Sequence, residues 1–139
     1  MRIAIGSDHA GFRYKARIKD ILARWGHEVT DFGTDSDAPV DYPLYIRPVA
    51  LAVAAGEYER GIVLGGSGNG EAIVANRVRG IRCTLCWKVE SARFAGLHNY
   101  ANVLSIAERL VPAEEREPIL RVWLGPKLWG GRHHGRDDA

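Results

Sequence analysis

The sequence predicts a protein of the α/β class, in which a mostly parallel sheet is covered by helices on both faces. Short, almost continuous apolar runs, typical of buried parallel strands, alternate with longer stretches that carry apolar residues at helical spacing. The chain has 139 residues, 46% of them hydrophobic, which suits one ordinary globular domain. We therefore expect residues 1–139 to form a single domain that ends in a basic tail, 127–139.

The elements of the first part of the chain each have a signal of their own. The first predicted strand is the apolar run 3–6. The helix predicted over 14–25 repeats apolar residues at helical spacing and can end at Gly26. A short strand over 27–31 is followed by a loop at 33–40 that is rich in Asp, Ser, Thr and Pro.

The later elements continue this alternation. A helix at 45–55, closed by Gly56, precedes a strand at 61–64, a glycine-rich loop and a helix at 72–78. The remaining predicted elements are a strand at 82–86, a helix at 91–97, a strand at 102–106 and a helix at 114–124. Together they predict a Rossmann-like three-layer sandwich around a mostly parallel five-stranded sheet. Ligands of such sheets bind outside the carboxyl ends of the strands, so the loops after the first and third strands should lie side by side there.

Composition and charge disfavour several classes of protein. A formal net charge of +2 is too small to indicate nucleic-acid binding, and no basic block precedes the tail. No apolar stretch reaches the ~18 residues that a membrane span needs, and the N-terminus shows no signal-peptide pattern. We expect a cytoplasmic protein that binds neither nucleic acid nor membrane.

The two cysteines do not indicate a redox site. Cys83 and Cys86 form a nominal C-x-x-C pair, but they fall in an apolar run that is predicted to be a strand. Three residues apart along a strand, their side chains point to opposite faces. Buried structural cysteines are therefore favoured.

The most informative segment is the glycine-rich run from Gly66 to Glu71, between an apolar strand and a helix. Free N–H groups at a helix N-terminus attract anions, both a phosphate and the oxyanion of a reacting sugar. No Gly-Lys-Ser/Thr follows, and Glu71 stands where G-x-G-x-x-G needs its third glycine, so nucleotide binding is disfavoured. We expect a small anionic substrate beside Glu71, a base ionised at neutral pH, with Ser67 donating its hydroxyl to the intermediate. The alternative is that Glu71 only complements the helix dipole.

Two histidine-containing pairs are further candidates. Asp8 and His9 follow the first strand and can bind a sugar hydroxyl and a phosphate, although Asp8 can also be a simple helix N-cap. His98 and Asn99 follow a helix and precede a strand, which places them at the opposite edge of a parallel sheet. If His98 is catalytic, it should serve a neighbouring subunit's site; the alternative is that the pair only ends its helix.

Arginines are usually solvated surface residues, but three are candidates for binding phosphate: Arg109, Arg132 and Arg136. Arg132 and Arg136 lie four residues apart in the tail, and forked guanidinium donors suit a phosphate. The neighbouring pair His133-His134 has no positioned carboxylate or cysteine beside it, so we expect no metal site.

Motifs along nearly the whole chain carry a family resemblance: GSDHAGF at 6–12, DYP at 41–43, GGSGNGE at 65–71, ANR at 75–77, GIR at 80–82, HN at 98–99 and GRH at 131–133. In order and spacing they resemble the ribose-5-phosphate isomerase B family, which includes galactose-6-phosphate isomerases. One variant of this family has a cysteine base at the end of the third strand, where this chain has Gly65. The other has a glutamate at the position of Glu71, so the chain resembles the glutamate variant.

The resemblance implies an aldose–ketose isomerase that interconverts ribose 5-phosphate and ribulose 5-phosphate through a cis-enediolate, without metal or organic cofactor. It implies catalytic roles for Asp8, Ser67, Glu71 and His98. It implies substrate contacts, some from the partner chain, by His9, Tyr42, Gly66, Gly68, Asn69, Gly70, Asn99, Arg109, Arg132 and Arg136. It also implies a homodimer with shared active sites, with a tetramer as the alternative, and a place in the pentose phosphate pathway of carbohydrate metabolism.

Two alternatives to this function stay open. The chain can isomerise a different sugar phosphate, such as allose or galactose 6-phosphate or a tetrose phosphate, because the sequence separates these substrates poorly. It can also be a non-catalytic module that binds sugar phosphates. The carboxylate of Glu71 argues against the second alternative, because phosphate binding gains nothing from it.

Overall fold

The computed structural model describes residues 1–36, 38–39 and 41–125, and of residues 96–99 it describes the backbone alone. Within this part the strands are β1 Arg2–Ser7, β2 Glu28–Asp31, β3 Arg60–Gly65, β4 Cys83–Cys86 and β5 Val103–Ala107. The helices are α1 Phe12–Arg24, α2 Pro43–Ala54, α3 Asn69–Asn76, α4 Val89–Asn99 and α5 Arg116–Leu124, with a short 3-10 turn at Ala113–Glu115.

The strands form a single sheet in the order β2-β1-β3-β5-β4, and each neighbouring pair is parallel. The register aligns Ile5 of β1 with Ile62 of β3, and Leu64 of β3 with Ile106 of β5. The chain passes from β1 to β2 on one side and then returns to place β3 on the other. This reversal leaves a crevice at the carboxyl ends of β1 and β3, as expected for ligand sites of open α/β sheets.

Alternating side chains of the strands feed two hydrophobic cores, one on each face of the sheet. Ile3 and Ile5 pack with α1, α4 and α5, whereas Ala4 between them packs with α2 and α3. The largest side chains without solvent exposure in these cores include Ile18, Leu22, Ile46, Leu104 and Leu120. The three-layer α/β sandwich predicted from the sequence is therefore confirmed, with a sheet that is parallel throughout.

Several predicted helices begin at a different residue because of their capping geometry. Helix α3 begins at Asn69 rather than at 72, since Gly68, with φ 78°, is its left-handed N-cap. Helix α2 begins with a proline, whose fixed φ suits the first turn. Helix α4 begins after Lys88, whose backbone N–H donates to Ser91 Oγ at 3.3 Å.

Two further predictions concern the chain as a whole. Among the described residues, none of the helices is long and apolar enough to cross a bilayer. Residues 126–139 lie outside the described part, so the single domain spanning 1–139 and its basic tail at 127–139 stay predictions.

Candidate active site

The glycine loop between β3 and α3 is held in a conformation that requires glycine. Gly68 adopts φ 78°, which side chains of L-residues rarely tolerate. A Cβ atom at this position would lie 2.5 Å from Leu85 Cδ1 and 3.0 Å from Ser105 Oγ. The buried hydroxyl of Ser105 donates to the Gly68 carbonyl at 2.8 Å, so β5 fixes the loop from below.

The loop presents polar groups at the start of α3. The Asn69 N–H donates to Ser67 Oγ at 3.3 Å, and Ser67 itself is exposed. The N–H of Gly70 lies in the first turn, where no carbonyl of the same helix can reach it. An exposed hydroxyl beside first-turn N–H groups is a suitable environment for an anionic oxygen.

Glu71 is the buried carboxylic acid of this site, with only 4% of its surface exposed. Its side chain folds back from α3 onto the end of β3. A Cβ atom at Gly65 would lie only 2.0 Å from Glu71 Oε1, so the carboxyl occupies the space that a side chain at residue 65 would need. The absence of a side chain at Gly65 is what allows Glu71 to sit there.

The environment of Glu71 raises its pKa to about 7. Burial is the main cause, followed by the nearby negative charge of Asp8 and a hydrogen bond with it, while the backbone N–H of Glu71 lowers the pKa. The expectation of a carboxylate that stays ionised at neutral pH is therefore met only in part, because near pH 7 the group is divided between its ionised and protonated forms. Such a pKa suits a group that must both take and return a proton.

The loop after β1 lies against the end of β3, as predicted. The Asp8 N–H donates to the Leu64 carbonyl at 3.2 Å, and a Cβ atom at Gly11 would lie 2.7 Å from Leu64 Cβ. The interpretation of Asp8 as a helix N-cap is wrong, because Gly11 is the N-cap of α1. Asp8 Oδ1 instead accepts the Gly11 N–H at 3.0 Å and the carboxyl faces Glu71. His9, the next residue of this loop, is partly exposed.

Arg109 and Tyr42 lie beside opposite ends of the glycine loop, at Gly66 and Gly70. The Arg109 N–H donates to the Gly66 carbonyl at 3.0 Å, and a Cβ atom at Gly66 would lie 3.0 Å from its Nε. A Cβ atom at Gly70 would lie 2.9 Å from the Tyr42 hydroxyl. Segments that are distant in sequence thus place a cation and a phenol beside the loop.

Glu108 is a further carboxyl group at this edge of the sheet that was not predicted from the sequence. Its N–H donates to the Gly65 carbonyl at 2.9 Å. Burial and the charge of Asp8 raise its pKa, against the opposing effect of Arg109 and two further arginines. Its place directly after β5, beside β3, was the signal that could have identified it, because the carboxyl ends of neighbouring parallel strands meet at one edge.

The remaining candidate residues fall partly or wholly outside the described part of the chain. The side chains of His98 and Asn99, and all of Arg132 and Arg136, lie outside the described residues. Helix α4 ends at Asn99, so His98 and Asn99 are its last two residues, and the residue at the C-cap, with φ 50°, is Tyr100. The chain then enters the start of β5, the opposite edge of the sheet from the glycine loop, as predicted.

The cysteines belong to the hydrophobic cores. Cys86 is fully buried on the α4 side, and Cys83 packs against the core on the α2 side, so they point to opposite faces as predicted. Both are free thiols, and burial raises the pKa of each to about 12, which makes thiolate chemistry unfavourable. No group of three metal-ligating side chains comes together in the described part of the chain.

Comparisons with known proteins agree with this geometry. A family model described as Ribose/Galactose Isomerase matches residues 3–139. Ribose-5-phosphate isomerase B of Escherichia coli K12 is 44% identical, over 99% of this chain and 93% of its own length. The ribose-5-phosphate isomerase B structure from Clostridium thermocellum has a TM-score of 0.90 and 46% identity, covering 98% of this chain and 92% of that one. The Mycoplasma genitalium enzyme with bound ribulose-5-phosphate has a TM-score of 0.87 and 34% identity, with 99% and 91% covered. The chain belongs to the ribose/galactose isomerase family.

Proposed function

We propose that this chain is an aldose–ketose isomerase that interconverts ribose 5-phosphate and ribulose 5-phosphate. The observation that carries the proposal is the buried carboxyl of Glu71, with a pKa of about 7, between an anion-binding glycine loop and Asp8. The names of the E. coli and C. thermocellum relatives, and the ribulose-5-phosphate in the M. genitalium structure, support the choice of a pentose phosphate.

In the proposed reaction the ionised Glu71 removes the C2 proton of the open-chain aldose. The electron pair of that C–H bond forms the C1–C2 double bond of a cis-enediolate, and the C1 carbonyl oxygen becomes an oxyanion. Glu71 then returns the proton to C1, while the C2 hydroxyl gives up its proton to the C1 oxyanion, so that the oxygen on C2 becomes the ketone carbonyl and the oxygen on C1 becomes a hydroxyl. Proton transfer by a placed base contributes about 10²–10⁴-fold to such a reaction.

The oxyanion of the enediolate lies at the glycine loop in this proposal. The Ser67 hydroxyl and the N–H groups of Gly66, Gly68, Asn69 and Gly70 are the proposed donors. Each well-placed donor of this kind is worth about 10²–10³-fold in rate. Glu71 moves the proton between the two carbons, and the substrate's own C2 hydroxyl supplies the proton that the C1 oxygen gains, so the proposal includes no cofactor and no metal.

The furanose ring must open before isomerisation, and we assign this step to Asp8 and His98. One of the two takes the proton of the O1 hydroxyl while the other gives a proton to the ring oxygen as the C1–O4 bond breaks. Tyr42 and Asn99 line the sugar pocket. The proposed phosphate ligands are His9, Arg109, Arg132 and Arg136.

The proposed assembly is a homodimer with shared active sites, and a tetramer is the alternative. Its support is the position of the α4 C-terminus, at the edge of the sheet opposite the glycine loop. From there His98 can reach an active site only in a neighbouring chain. We further propose a cytoplasmic location and a role in the pentose phosphate pathway.

A substrate comparison tests the proposed function. Ribose 5-phosphate and allose 6-phosphate are offered in parallel, and a nucleotide titration serves as the binding control. We expect turnover of ribose 5-phosphate and no binding of the nucleotide. Preferred turnover of allose 6-phosphate would replace the substrate, and tight binding of both sugars without turnover would indicate a binding module.

A further inference from the structure

Lys15 is a buried charged residue that the proposed reaction does not use. It lies on α1 and has only 1% of its surface exposed. Its Nζ donates to Asp31 Oδ1 at 2.8 Å and also to the carbonyl of Thr34. Lysine is almost never buried to this degree unless it is paired, so the two acceptors explain how the fold tolerates it.

Asp31, at the end of β2, organises the loop that follows. Oδ1 accepts the Gly33 N–H at 2.8 Å in addition to Lys15, and Oδ2 accepts Lys19 Nζ at 2.9 Å. Burial alone would raise the pKa of Asp31, but the hydrogen bonds from the two lysines and from Gly33 outweigh it and the pKa is lowered. The loop is thus built on an ionised carboxylate with a buried cationic partner.

The same loop is bonded to the end of β1, directly before Asp8. The Ser7 N–H donates to the Gly33 carbonyl at 2.8 Å, and the Thr34 N–H donates to the Ser7 carbonyl at 3.0 Å. Asp8 itself is bonded through its N–H to Leu64 on the other side. The backbone that carries Asp8 therefore lies between the Lys15-bound loop and the end of β3.

The loop also contacts the first turn of α2, whose N-cap is Tyr42. A Cβ atom at Gly33 would lie 2.7 Å from Tyr45 Cδ1, and one at Gly6 would lie 2.6 Å from the Tyr45 carbonyl oxygen. Because these groups are closely packed, a shift of the loop should also shift the first turn of α2, and with it Tyr42.

We propose that Lys15 is a positioning residue, which holds the loop 31–34 against β1 and α2 and thereby sets Asp8 and Tyr42 around the glycine loop. This inference rests on the proposed function, in which Asp8 and Tyr42 contact the sugar. Lys15 touches no substrate and acts through the loop.

Lys19 provides a matched control, because it pairs with the same carboxylate from the surface. Its side chain is 40% exposed, whereas that of Lys15 is 1% exposed. Exposed ion pairs contribute little. Loss of Lys15 also removes a donor from the buried Thr34, which has 4% exposure, and a buried carbonyl that loses its donor favours displacement of its loop.

The test compares Lys15→Met with Lys19→Met in turnover of ribose 5-phosphate, at a temperature at which circular dichroism shows both variants folded. Methionine keeps the length and the apolar stem of lysine without the charge. We expect kcat/KM of Lys15→Met to fall about tenfold to a hundredfold, the size expected when reacting groups are displaced by about 1 Å. Lys19→Met should stay within about twofold of the wild type.

The double variant Lys15→Met/Asp31→Asn separates positioning from simple stabilisation. It removes both charges, so no carboxylate is left without its buried partner, but Thr34 still lacks its donor. We expect the urea midpoint to recover toward that of the wild type while kcat/KM stays low. If Lys15→Met does not fold, this variant alone carries the comparison with Lys19→Met.

Two results would overturn the proposal: a folded Lys15→Met as active as Lys19→Met, or activity of the double variant that recovers together with its stability. A wild-type chain that fails to turn over ribose 5-phosphate has a different meaning. It overturns the proposed function, and this inference falls with it.

Discussion

The pKa of the Glu71 side chain lies near neutral pH, so the ionised and protonated forms are both populated there. Burial and Asp8 raise its pKa to about 7, and its own backbone N–H acts in the opposite direction. A carboxyl group with the ordinary value of 4.5 would be a weaker base for a carbon acid, because base strength rises with pKa. A group with a pKa near the working pH remains partly ionised and is also the stronger base.

The pH dependence of kcat/KM follows from this pKa. In the proposed reaction only the ionised form of Glu71 accepts the C2 proton, so activity should fall about tenfold per pH unit below pH ~7. In Asp8→Asn the neighbouring negative charge is lost, and the acid limb should move to lower pH whatever happens to the maximal rate. Rate profiles of both proteins measure this. A wild-type limb at the ordinary carboxyl value of 4.5 would contradict the raised pKa of Glu71.

Gly65→Ala should displace the base without unfolding the chain. The new Cβ would lie 2.0 Å from Glu71 Oε1, and the end of a flexible side chain can move away. We expect a loss of about 10²-fold or more in kcat/KM, since a placed base contributes 10²–10⁴-fold. The control is Gly61→Ala on the same strand, whose Cβ meets core valines at 3.0 Å. It should cost stability and leave turnover intact; the opposite pattern would refute the role of Gly65.

For individual residues, the sequence predicts which side chains form the candidate site better than it predicts their protonation. Glu71 is recognisable because a carboxylate directly follows a glycine-rich loop. Its raised pKa is not, because it arises from burial and from Asp8, which another part of the chain brings alongside. Lys15 is likewise unpredictable, since a lone lysine on a helix is expected in solvent until Asp31 and Thr34 are seen beside it.

Among the elements, the loop from Gly65 to Gly70 is held mainly by its neighbours. The Ser105 hydroxyl of β5 donates to the Gly68 carbonyl and so fixes that residue. Backbone N–H groups of the segment after β5 donate to the carbonyls of Gly65 and Gly66. Parallel pairing of β3 and β5 thus extends past the strands and supports the loop. The rigid strands set the position of the loop to which we assign the oxyanion.

Gly68→Ala should lose both stability and activity. Its φ of 78° costs an L-residue about 1–2 kcal/mol, and the Cβ would meet Leu85. Gly56→Ala is the matched control, because Gly56 has φ 80° and nothing within 4 Å of its Cβ position. Both variants should lower the free energy of urea unfolding, but only Gly68→Ala should lower kcat. Equal activity of the two variants would show that the loop geometry is dispensable.

Strands were easier to predict than the starts of helices. The apolar runs of β1 and β3 are short, buried on both faces and bounded by polar residues or glycine, so their ends shift by little. The start of α3 was misplaced because Gly68 looks like a loop residue and its left-handed conformation makes it an N-cap. Such a cap depends on support from Leu85 and Ser105, which local sequence does not contain.

In the whole molecule all strands are parallel, so each connecting helix leads from the carboxyl edge of the sheet back to the amino edge. The glycine loop and Asp8 lie at the carboxyl edge of the sheet, whereas α4 ends at the opposite edge. This separation was predicted from the order of the elements alone. A role for His98 in catalysis therefore requires a second chain.

Mixing inactive chains tests the shared site. If His98 serves the partner's Glu71, a mixed dimer of Glu71→Gln and His98→Ala chains has one intact site. Equal mixing with full subunit exchange should then restore about a quarter of the wild-type activity, because half of the dimers are mixed. Glu71→Gln mixed with Ser67→Ala is the control, since both residues belong to one chain's loop and no intact site forms. Absence of recovery in the first mixture would argue against sharing.

Proton exchange with solvent shows whether Glu71 moves the proton between C1 and C2. Ribulose 5-phosphate is incubated in deuterium oxide with wild type or Glu71→Gln, and NMR follows exchange at C1 together with conversion to ribose 5-phosphate. Exchange needs no ring opening, so it reports on the base alone. We expect exchange and conversion by the wild type, with a loss of about 10²-fold or more of both in folded Glu71→Gln. Exchange at the wild-type rate in that variant would contradict this role of Glu71.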